Sequence, residues 1–515
     1  MLETDTRSEP SAAMPKAAAT WLVACAGVLL TLCGLYRIRT FDTFFHLAAG
    51  RLILARREVP AVDPFSFTFP GAPWLDHSWG FQAFLAALHG VGGFVALSLW
   101  QAVTACLAGA FTWWSVHADR RAWGLGAVLV VLPAVALREV LEARPHMLGF
   151  VCLALACLLT CRVVRGANVW SLAWLLPLQT LWLTVHGSHV LLLGLLASAA
   201  LLLALLRRAR VATAFVVALA AAVALVLLLA PDALTQGTDH LHSSFLEGQV
   251  QEWYPVTLSD LLSYWPGRAL LLLLALPALG AVWSLRALLS TRGPLADSSA
   301  RCLAAYQLTL WVTFAALALS SRRMLALYAL GAGPVWLPLA VRGARTLARL
   351  IPRAALRFSS ICELALPALS LAGLSLVLLG TKGPFELGAG LTAGRFPERA
   401  VAHIASRQRI ARIYNAYNFG GYLMWQRPAA GVFVDGRAIT VYPATFLDAF
   451  ERAYVDMATF EALAARFAVD GALLPTTSAR TATLRRHLDA SPDWSVSYRD
   501  EIAVVYERIN KTPSY

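Results

Sequence analysis

The sequence predicts a polytopic α-helical membrane protein, with about eleven transmembrane helices and a small extracytoplasmic α/β domain at its carboxy end. Of its 515 residues, 58% are apolar and only 14% are charged, and the mean hydropathy is +0.62. Soluble globular proteins carry about 25% charged residues, so this composition excludes an ordinary soluble enzyme. Near residue 381 the pattern changes from long apolar runs to short ones, which indicates a second domain.

Eleven apolar runs are long enough to be membrane spans. A helix needs roughly 20 apolar residues to cross about 30 Å of hydrocarbon. The runs lie near residues 17–36, 94–116, 123–138, 147–164, 170–185, 189–206, 211–230, 268–288, 302–319, 324–341 and 361–380. We interpret the first as a signal anchor, because it is long for the apolar region of a signal peptide and no cleavage site follows it.

Arginines in alternate short loops predict the orientation. The net charge is +13, and the first 383 residues hold 28 Lys and Arg against 17 Asp and Glu. Loops rich in arginine face the cytoplasm. These loops carry Arg120, Arg121, Arg162, Arg165, Arg207, Arg208, Arg210, Arg286, Arg292, Arg301, Arg342, Arg345, Arg349, Arg353 and Arg357. We therefore assign the basic charge to topology and contact with membrane lipids, and expect no nucleic-acid partner.

This orientation defines three segments. Residues 1–16 form a cytoplasmic amino-terminal tail, residues 17–380 a transmembrane domain, and residues 381–515 an extracytoplasmic α/β domain. The protein is expected to be a multi-pass protein of the bacterial inner membrane. Carboxylates, histidines and several arginines gather at the outer ends of the spans. Because polar residues at membrane depth usually mark function, we expect the chemistry on the outer face.

The long first outer loop, residues 37–93, concentrates the candidate residues. Residues 41–57, FDTFFHLAAGRLILARR, predict a helix in the interface whose aromatic face meets lipid or neighbouring spans. Asp42 and His46 are four residues apart and lie together on the other face. The segment VPAVDPFSFTFPGAPWLDHSWG predicts an irregular loop, and a helix resumes over 79–90 before the glycines at 90–93.

Each polar residue of this loop also has a purely structural interpretation. Asp42 suits the first turn of a helix. Asp63 suits a turn, Asp76 and His77 suit a helix cap, and His46 alone suits an interfacial position. Their clustering is what favours chemistry.

The loop resembles a known family. The run Asp42-Thr43-Phe44-Phe45-His46-Leu47 followed by Pro60-Ala61-Val62-Asp63 is similar to the D-x-x-(F/Y)-H-L…P-x-x-D segment of C-type (GT-C) glycosyltransferases. The chain looks like bacterial multi-span proteins with this loop and a small outer carboxy-terminal domain, and more distantly like the oligosaccharyltransferase catalytic subunit. The resemblance implies an inverting hexosyl- or pentosyltransferase that uses a polyprenyl-phosphate-linked sugar donor and a glycan or lipid acceptor. Asp42 matches the catalytic aspartate.

The residue chemistry suits such a transfer. A positioned carboxylate such as Asp42, with His46 beside it, can take the acceptor proton and contribute about 10²–10⁴-fold to the rate. Arg144, Arg322 and Arg323 lie at outer ends of spans, where guanidinium groups can bind the donor phosphate. Snorkelling to the interface is the alternative explanation for each arginine.

Further outer-face residues are candidates for substrate or metal binding. His146, His186 and His189 end spans and can orient the phosphate or the acceptor, or be ordinary interface histidines. Asp63, Asp76, His46 and His77 offer ligands to a divalent cation. No compact ligand motif is present, so cofactor use stays open.

Short apolar runs predict the carboxy-terminal domain. Strands are expected over 412–417, 431–437, 470–475, 494–498 and 502–508, and helices over 397–409, 443–466 and 477–489. Asp435-Gly436-Arg437 ends a strand, either as part of a ligand site or as a turn with a surface ion pair. Residues 418–423 lie where the oligosaccharyltransferase subunit carries a tryptophan-rich motif; its absence argues against a peptide acceptor.

Three other functions fit the same outline. A transporter or flippase for a lipid-linked saccharide would share the outer arginines, but no internal repeat is evident and the polar residues crowd one face rather than the midplane. An envelope polysaccharide polymerase or ligase, or a non-enzymatic assembly protein, would not require Asp42.

Overall fold

The structure, a computed structural model, describes residues 16–234, 254–263, 265–290, 298–349, 359–407 and 410–509. The membrane part contains helices α1 (Lys16–Gly34), α2 (Asp42–Arg56), α3 (Trp79–Trp114), α4 (Trp123–Ala136), α5 (Pro145–Arg165), α6 (Leu175–Val185), α7 (Val190–Leu205), α8 (Ala209–Leu229), α9 (Leu258–Leu262), α10 (Trp265–Leu289), α11 (Ser298–Ser320), α12 (Arg322–Ala326), α13 (Gly333–Arg349) and α14 (Ser359–Leu379). Residues 1–15 of the predicted tail, and Arg292, Arg353 and Arg357 of the predicted cytoplasmic loops, lie outside the described residues.

Each of the eleven predicted spans coincides with helix. In the described part of the chain, seven helices are long and apolar enough to cross a membrane: α1, α3, α5, α7, α8, α10 and α11. The predicted spans near 123–138, 170–185 and 361–380 correspond to α4, α6 and α14. The predicted span 324–341 is broken, because Arg322–Gly331 meets Gly333–Ala348 at 76°. The protein is therefore a multi-pass membrane protein.

Helix α2 and the first turns of α3 form the expected helix pair of the first outer loop. Helix α3 kinks at Gly92 and Gly93, and the φ of +59° at Gly93 explains why glycine stands there. The aromatic face of α2 was expected to meet lipid or neighbouring spans, and Phe44 does contact Phe94 of α3, with ring centroids 5.8 Å apart. Phe44 also packs edge-on against Phe396 and Tyr422 of the carboxy-terminal domain, which was not expected, with ring centroids 4.8 Å from each.

The carboxy-terminal domain is a small α/β domain, as the sequence predicts, but its mixed sheet has four strands where five were expected. Strands β1 (Ile413–Asn415), β2 (Gly471–Pro475), β3 (Trp494–Arg499) and β4 (Ala503–Arg508) are ordered β1-β2-β4-β3. Strand β1 runs parallel to β2, and the other two pairs are antiparallel. The helices are α15 (Glu398–Ser406), α16 (Tyr417–Gln426), α17 (Ala444–Arg452), α18 (Met457–Arg466) and α19 (Ala482–Ala490).

Three expected boundaries in this domain are wrong. The segment 431–437 is not a strand of the sheet, because Val432 hydrogen-bonds with Phe65 and Phe67 of the first outer loop instead. Tyr417 begins a helix rather than ending a strand. The expected helix 443–466 is two helices, since Asp456 caps the second through its side chain. The first of these differences joins the domain to the outer loop.

Candidate functional site

The centre of the candidate site is an ion pair between Asp42 and Arg144. Asp42 is the first residue of α2, and Arg144 precedes α5 in extended backbone conformation. Nη2 of Arg144 lies 2.9 Å from Oδ2 of Asp42, and the two side chains are 21% and 30% exposed. Arg144 is also 3.8 Å from Glu142. The carboxylate is thus held by a cation but stays open to a substrate.

The carboxy-terminal domain covers one side of Asp42. A Cβ built on Gly436 would lie 2.9 Å from Oδ1 of Asp42 and 3.0 Å from the ring of Phe45, so only a glycine fits without displacement. Tyr417, at the start of α16, is also close to Asp42: burial, followed by the charges of Asp42 and Asp435, raises the pKa of its phenol. Tyr417 therefore stays protonated as a potential donor.

A basic cluster stands behind the ion pair. Burial, followed by electrostatic interactions with Arg144, His77 and His146, lowers the pKa of His46 well below its usual value. Burial, followed by Arg323, His77, His146 and Arg144, does the same to His186. Both imidazoles are therefore neutral at pH 7, since crowding by cations disfavours a further charge. Seven predicted residues thus lie together: Asp42, His46, His77, Arg144, His146, His186 and Arg323.

Arg323 and His186 are in contact within this cluster. Nη2 of Arg323 lies 3.3 Å from Nε2 of His186, and Nδ1 of His186 lies 2.7 Å from Oγ of Ser188. The backbone N–H of Ser188 also donates to Nδ1 of His186, at 3.1 Å. Trp182 also donates to Ser188 at 3.0 Å. Arg323 is therefore held against His186 within the cluster.

A buried ionic network fixes the first outer loop to the carboxy-terminal domain. Arg437 lies 2.5 Å from Asp63 and 2.7 Å from Asp435, and Tyr442 donates to Asp435 at 2.6 Å. The ionic side chains are at most 1% exposed. Burial raises the pKa of Asp435, but the charge and hydrogen bonds of Arg437 outweigh this and bring it below the usual value. Asp435 and Arg437, the two chain neighbours of Gly436, therefore fix its position at the contact with Asp42.

Asp76 occupies a buried polar site next to α3. Its Oδ1 accepts from Gln82 at 2.9 Å and from the backbone N–H of Ser78 at 3.1 Å, while Oδ2 has no hydrogen-bond partner among the described residues. Burial raises the pKa of Asp76 to about 7, against the lowering effect of these bonds and of Arg437. The carboxyl is therefore about half protonated at neutral pH.

Three predicted residues have other partners. Arg322 forms a 2.9 Å ion pair with Asp260 and is nearly half exposed. Nδ1 of His189 lies 3.2 Å from Nε2 of Gln179, and the histidine is only 1% exposed within the helices. His146, although part of the basic cluster, also places Nε2 2.9 Å from the carbonyl of Val140.

The four candidate metal ligands do not converge. The Asp63 carboxylate accepts from Arg437, from the backbone N–H of Phe65 and from Ser66. Within the described ranges, no group of three His, Cys, Asp or Glu side chains is arranged to hold a metal ion. The positive charge next to Asp42 is instead a guanidinium, that of Arg144. We therefore derive no step through a metal.

Sequence reasoning missed several residues around Asp42. Glu142 was not among the candidate residues, although its spacing from Arg144 places it near the same guanidinium. Asp435-Gly436-Arg437 was expected to be part of a ligand site or a turn with a surface ion pair, and the ion pair is buried. Nothing local to Tyr417 signals its proximity to Asp42, because the two are separated by most of the chain.

Comparison with known proteins shows the fold. No protein-family model matches the sequence, and no curated protein matches it. The oligosaccharyltransferase AglB from Archaeoglobus fulgidus, solved with an inhibitory peptide and a dolichol-phosphate, is 12% identical with a TM-score of 0.58, and the match covers 89% of this chain and 69% of that one. ArnT from Cupriavidus metallidurans, solved with undecaprenyl phosphate, is 12% identical with a TM-score of 0.50, covering 96% and 98%.

A third structure agrees with these two. The mycobacterial arabinofuranosyltransferase AftD is 16% identical with a TM-score of 0.53, and the match covers 96% of this chain and 40% of that one. At such low identity the likeness concerns the fold alone. All three are membrane glycosyltransferases of the GT-C superfamily, so this chain has a GT-C-like fold, as the resemblance in the first outer loop implied.

Proposed function

We propose that the protein is an inverting membrane glycosyltransferase that moves a hexose or pentose from a polyprenyl-phosphate donor to an envelope glycan or lipid. The observation that carries this proposal is the partly open Asp42–Arg144 pair, which stands in front of a basic cluster on a GT-C-like fold. The neighbours solved with dolichol-phosphate and undecaprenyl phosphate support a lipid-phosphate donor.

Asp42 is the proposed general base. The acceptor hydroxyl oxygen attacks the anomeric carbon, the bond from that carbon to the phosphate oxygen breaks, and its electron pair leaves with the phosphate. The acceptor proton passes to Asp42. Such a carboxylate contributes about 10²–10⁴-fold to a rate. Attack on the face opposite to the leaving phosphate inverts the anomeric configuration.

Arg144 and Arg323 are the proposed phosphate ligands. Charge develops on the leaving phosphate as the bond breaks, and fixed cations stabilise it in proportion to how well they are preorganised. Neutral His186 keeps Arg323 in place at 3.3 Å without competing for the anion. His77 and His146 stand nearby and suit orientation of the phosphate or acceptor. Arg322 can bind the phosphate only if its ion pair with Asp260 breaks.

The acceptor side is formed by the carboxy-terminal domain. Tyr417 and Gly436 border Asp42, and α16 packs on α2 through Gly421, where a Cβ would lie 2.9 Å from the carbonyl of Phe41. Residues 418–423 form part of α16 and lack the tryptophan-rich peptide-reading motif of oligosaccharyltransferases. A glycan or lipid acceptor on the outer face of the inner membrane is therefore proposed.

A transporter or flippase is the second candidate, because one span is broken. The segments Arg322–Gly331 and Gly333–Ala348 meet at 76°, and Arg323 lies in the first of them. Broken helices line the substrate sites of many transporters. In vesicles loaded with labelled polyprenyl-phosphate sugars, a flippase moves the label across the membrane without forming a new glycosidic bond. An unchanged translocation rate in Asp42→Asn would favour this second function.

The decisive test is transfer by Asp42→Asn. Membranes that contain the full-length protein are given a panel of labelled polyprenyl-phosphate hexoses and pentoses, and label in glycan and lipid fractions is measured. We expect transfer to fall by about 10²–10⁴-fold with normal membrane insertion. Glu58→Gln, an exposed carboxylate of the same loop, is the matched control. Equal transfer by wild type and Asp42→Asn would remove the proposed base.

A further inference from the structure

A second cavity lies at the opposite end of the helix bundle from Asp42. Helix α5 begins beside Arg144 and runs for 21 residues to Arg165, so its two ends are about 30 Å apart. At the far end, α3, α5, α11 and α13 line a cavity of about 350 Å³. This volume lies within the range of small-molecule sites in proteins. The cavity is thus separate from the proposed catalytic site.

The lining of this cavity is basic. Its ionisable residues are Arg162 and Arg165, at the end of α5, and His117, and no carboxylate of the described residues lines it. Arg342 adds a fourth basic group, because its guanidinium donates to the lining residue Gln307 at 3.2 Å. An anion in the cavity would therefore meet several hydrogen-bond donors and no opposing charge.

One carboxylate next to the cavity along the chain is already paired with a cation. Asp119 follows the cavity residue Ala118 along the chain, and its Oδ2 lies 2.6 Å from Nη1 of Arg345. Arg162 and Arg165 also stabilise the carboxyl end of α5 through the helix dipole. The dipole accounts for the cations at the end of α5, but not for Arg342 of α13, whose guanidinium donates to the lining residue Gln307.

Part of the cavity lining is apolar. Trp114, Leu158, Leu303 and Pro334 line it together with the basic residues. Tryptophan is enriched at the membrane interface, where one side of the ring is apolar and the other is wet. A cationic site that continues into an apolar wall between helices matches a molecule with a phosphate and an acyl chain. A soluble phosphate would use only half of it.

We propose that this cavity binds the headgroup phosphate of an anionic phospholipid, with an acyl chain along Trp114 and Leu303. Arginine forks bind phosphate oxygens bidentately, and basic pockets between transmembrane helices hold anionic lipid headgroups. In the orientation that the arginine-rich loops predict, the lipid belongs to the cytoplasmic leaflet. The proposal is independent of the reaction at Asp42.

The test measures lipid-dependent stability of the full-length protein. The protein is purified in a zwitterionic detergent and titrated with phosphatidylglycerol, phosphatidylcholine or inorganic phosphate, while thermal unfolding is followed. We expect phosphatidylglycerol alone to raise the Tm. Arg162→Gln combined with Arg165→Gln should weaken its apparent affinity by about tenfold or more. Arg207→Gln combined with Arg210→Gln removes the same charge from exposed positions on the same face and should leave it unchanged.

A second variant keeps the test valid if the arginine variant does not fold. Ala118→Phe fills the cavity while it preserves every charge, and it should also weaken the effect of phosphatidylglycerol. Equal stabilisation by phosphatidylcholine, or equal loss in the Arg207 and Arg210 control, would overturn the proposal. Full stabilisation by inorganic phosphate, with no further gain from phosphatidylglycerol, would identify a free anion as the ligand and overturn the lipid assignment.

Discussion

Gly436, in the carboxy-terminal domain, lies against the carboxylate of Asp42 in the first outer loop. A Cβ at position 436 would stand 2.9 Å from Oδ1 of Asp42, closer than real Cβ contacts come. Two parts of the chain separated by almost 400 residues therefore meet at the proposed base. The carboxy-terminal domain is part of the site rather than an appendage to it.

Gly436→Ala should slow the reaction more than it unfolds the protein. The added methyl group has to displace the Asp42 carboxylate or the ring of Phe45, and a misplacement of about 1 Å can reduce catalysis by about 100-fold. We expect kcat for sugar transfer to fall by roughly this factor with little change in Tm. Gly373→Ala is the control, since nothing lies within 4 Å of a Cβ there. Equal rates for the two variants would contradict the assigned contact.

Arg437→Met should destabilise the junction between the loop and the domain. Removal of the guanidinium leaves Asp63 and Asp435 buried and uncompensated, which costs about 3–5 kcal/mol. We expect a lower Tm and faster limited proteolysis of the carboxy-terminal domain. Arg499→Gln breaks an exposed pair and should cost no more than about 1 kcal/mol. Equal proteolysis rates in both variants would show that the network does not hold the domain.

Asp76→Asn should change how stability depends on pH. The pKa of Asp76 is about 7 in the folded protein and ordinarily near 4, so the folded state holds a proton that the unfolded state releases. The wild type therefore loses stability as pH rises from about 4 to 7, by up to about 4 kcal/mol from this group. The asparagine variant lacks that loss, because it carries no charge to bury.

The measurement is the difference between the free energies of unfolding of Asp76→Asn and the wild type at several pH values. The difference should grow in favour of the variant between pH 4 and 7 and level off above pH 7. His46 and His186 act in the opposite sense: their lowered pKa values make both proteins less stable as pH falls below about 6.5. This contribution cancels in the difference. A flat difference would place the pKa of Asp76 near its ordinary value.

Arg323→Gln should impair donor use more than Arg322→Gln. Arg323 lies in the basic cluster against His186, whereas Arg322 is paired with Asp260. Loss of a hydrogen bond to a charged phosphate costs about 1.5–3 kcal/mol, so kcat/KM for the donor should fall by about 10- to 100-fold in the first variant. The second variant should stay near wild type. The reverse order would transfer the phosphate assignment to Arg322.

The helices of the membrane part can be predicted from the local pattern of apolar residues. Each apolar run became helix because only helices and closed barrels satisfy the backbone in lipid. The glycines at 90–93 marked the kink in α3, where Gly93 has a positive φ. The two helices of the first outer loop were also predicted from local pattern, because their apolar residues follow helical spacing. The break between α12 and α13 was missed because the apolar run continues across it, although Gly331, Gly333 and Pro334 mark the position.

The buried ion pairs did not follow from local pattern. The sequence around Asp63 was compatible with a turn residue and with a metal ligand. Its partner Arg437 lies 374 positions away in the chain. The segment around Val432 has the composition of a strand, but its backbone bonds to the outer loop instead of the sheet. A strand-forming sequence specifies extended backbone, and only the tertiary structure decides which edge it joins.

The sequence by itself determined the spans, the helix that begins at Asp42 and the small mixed domain, because hydrophobic periodicity and turn residues act within a few positions of the chain. The tertiary structure alone decided that Arg144, Gly436 and Tyr417 surround Asp42, that Arg323 rather than Arg322 joins the basic cluster, and that Asp63 binds Arg437. These contacts join residues more than a hundred positions apart. Their partners are selected by packing and burial, which leave no mark in the neighbouring sequence.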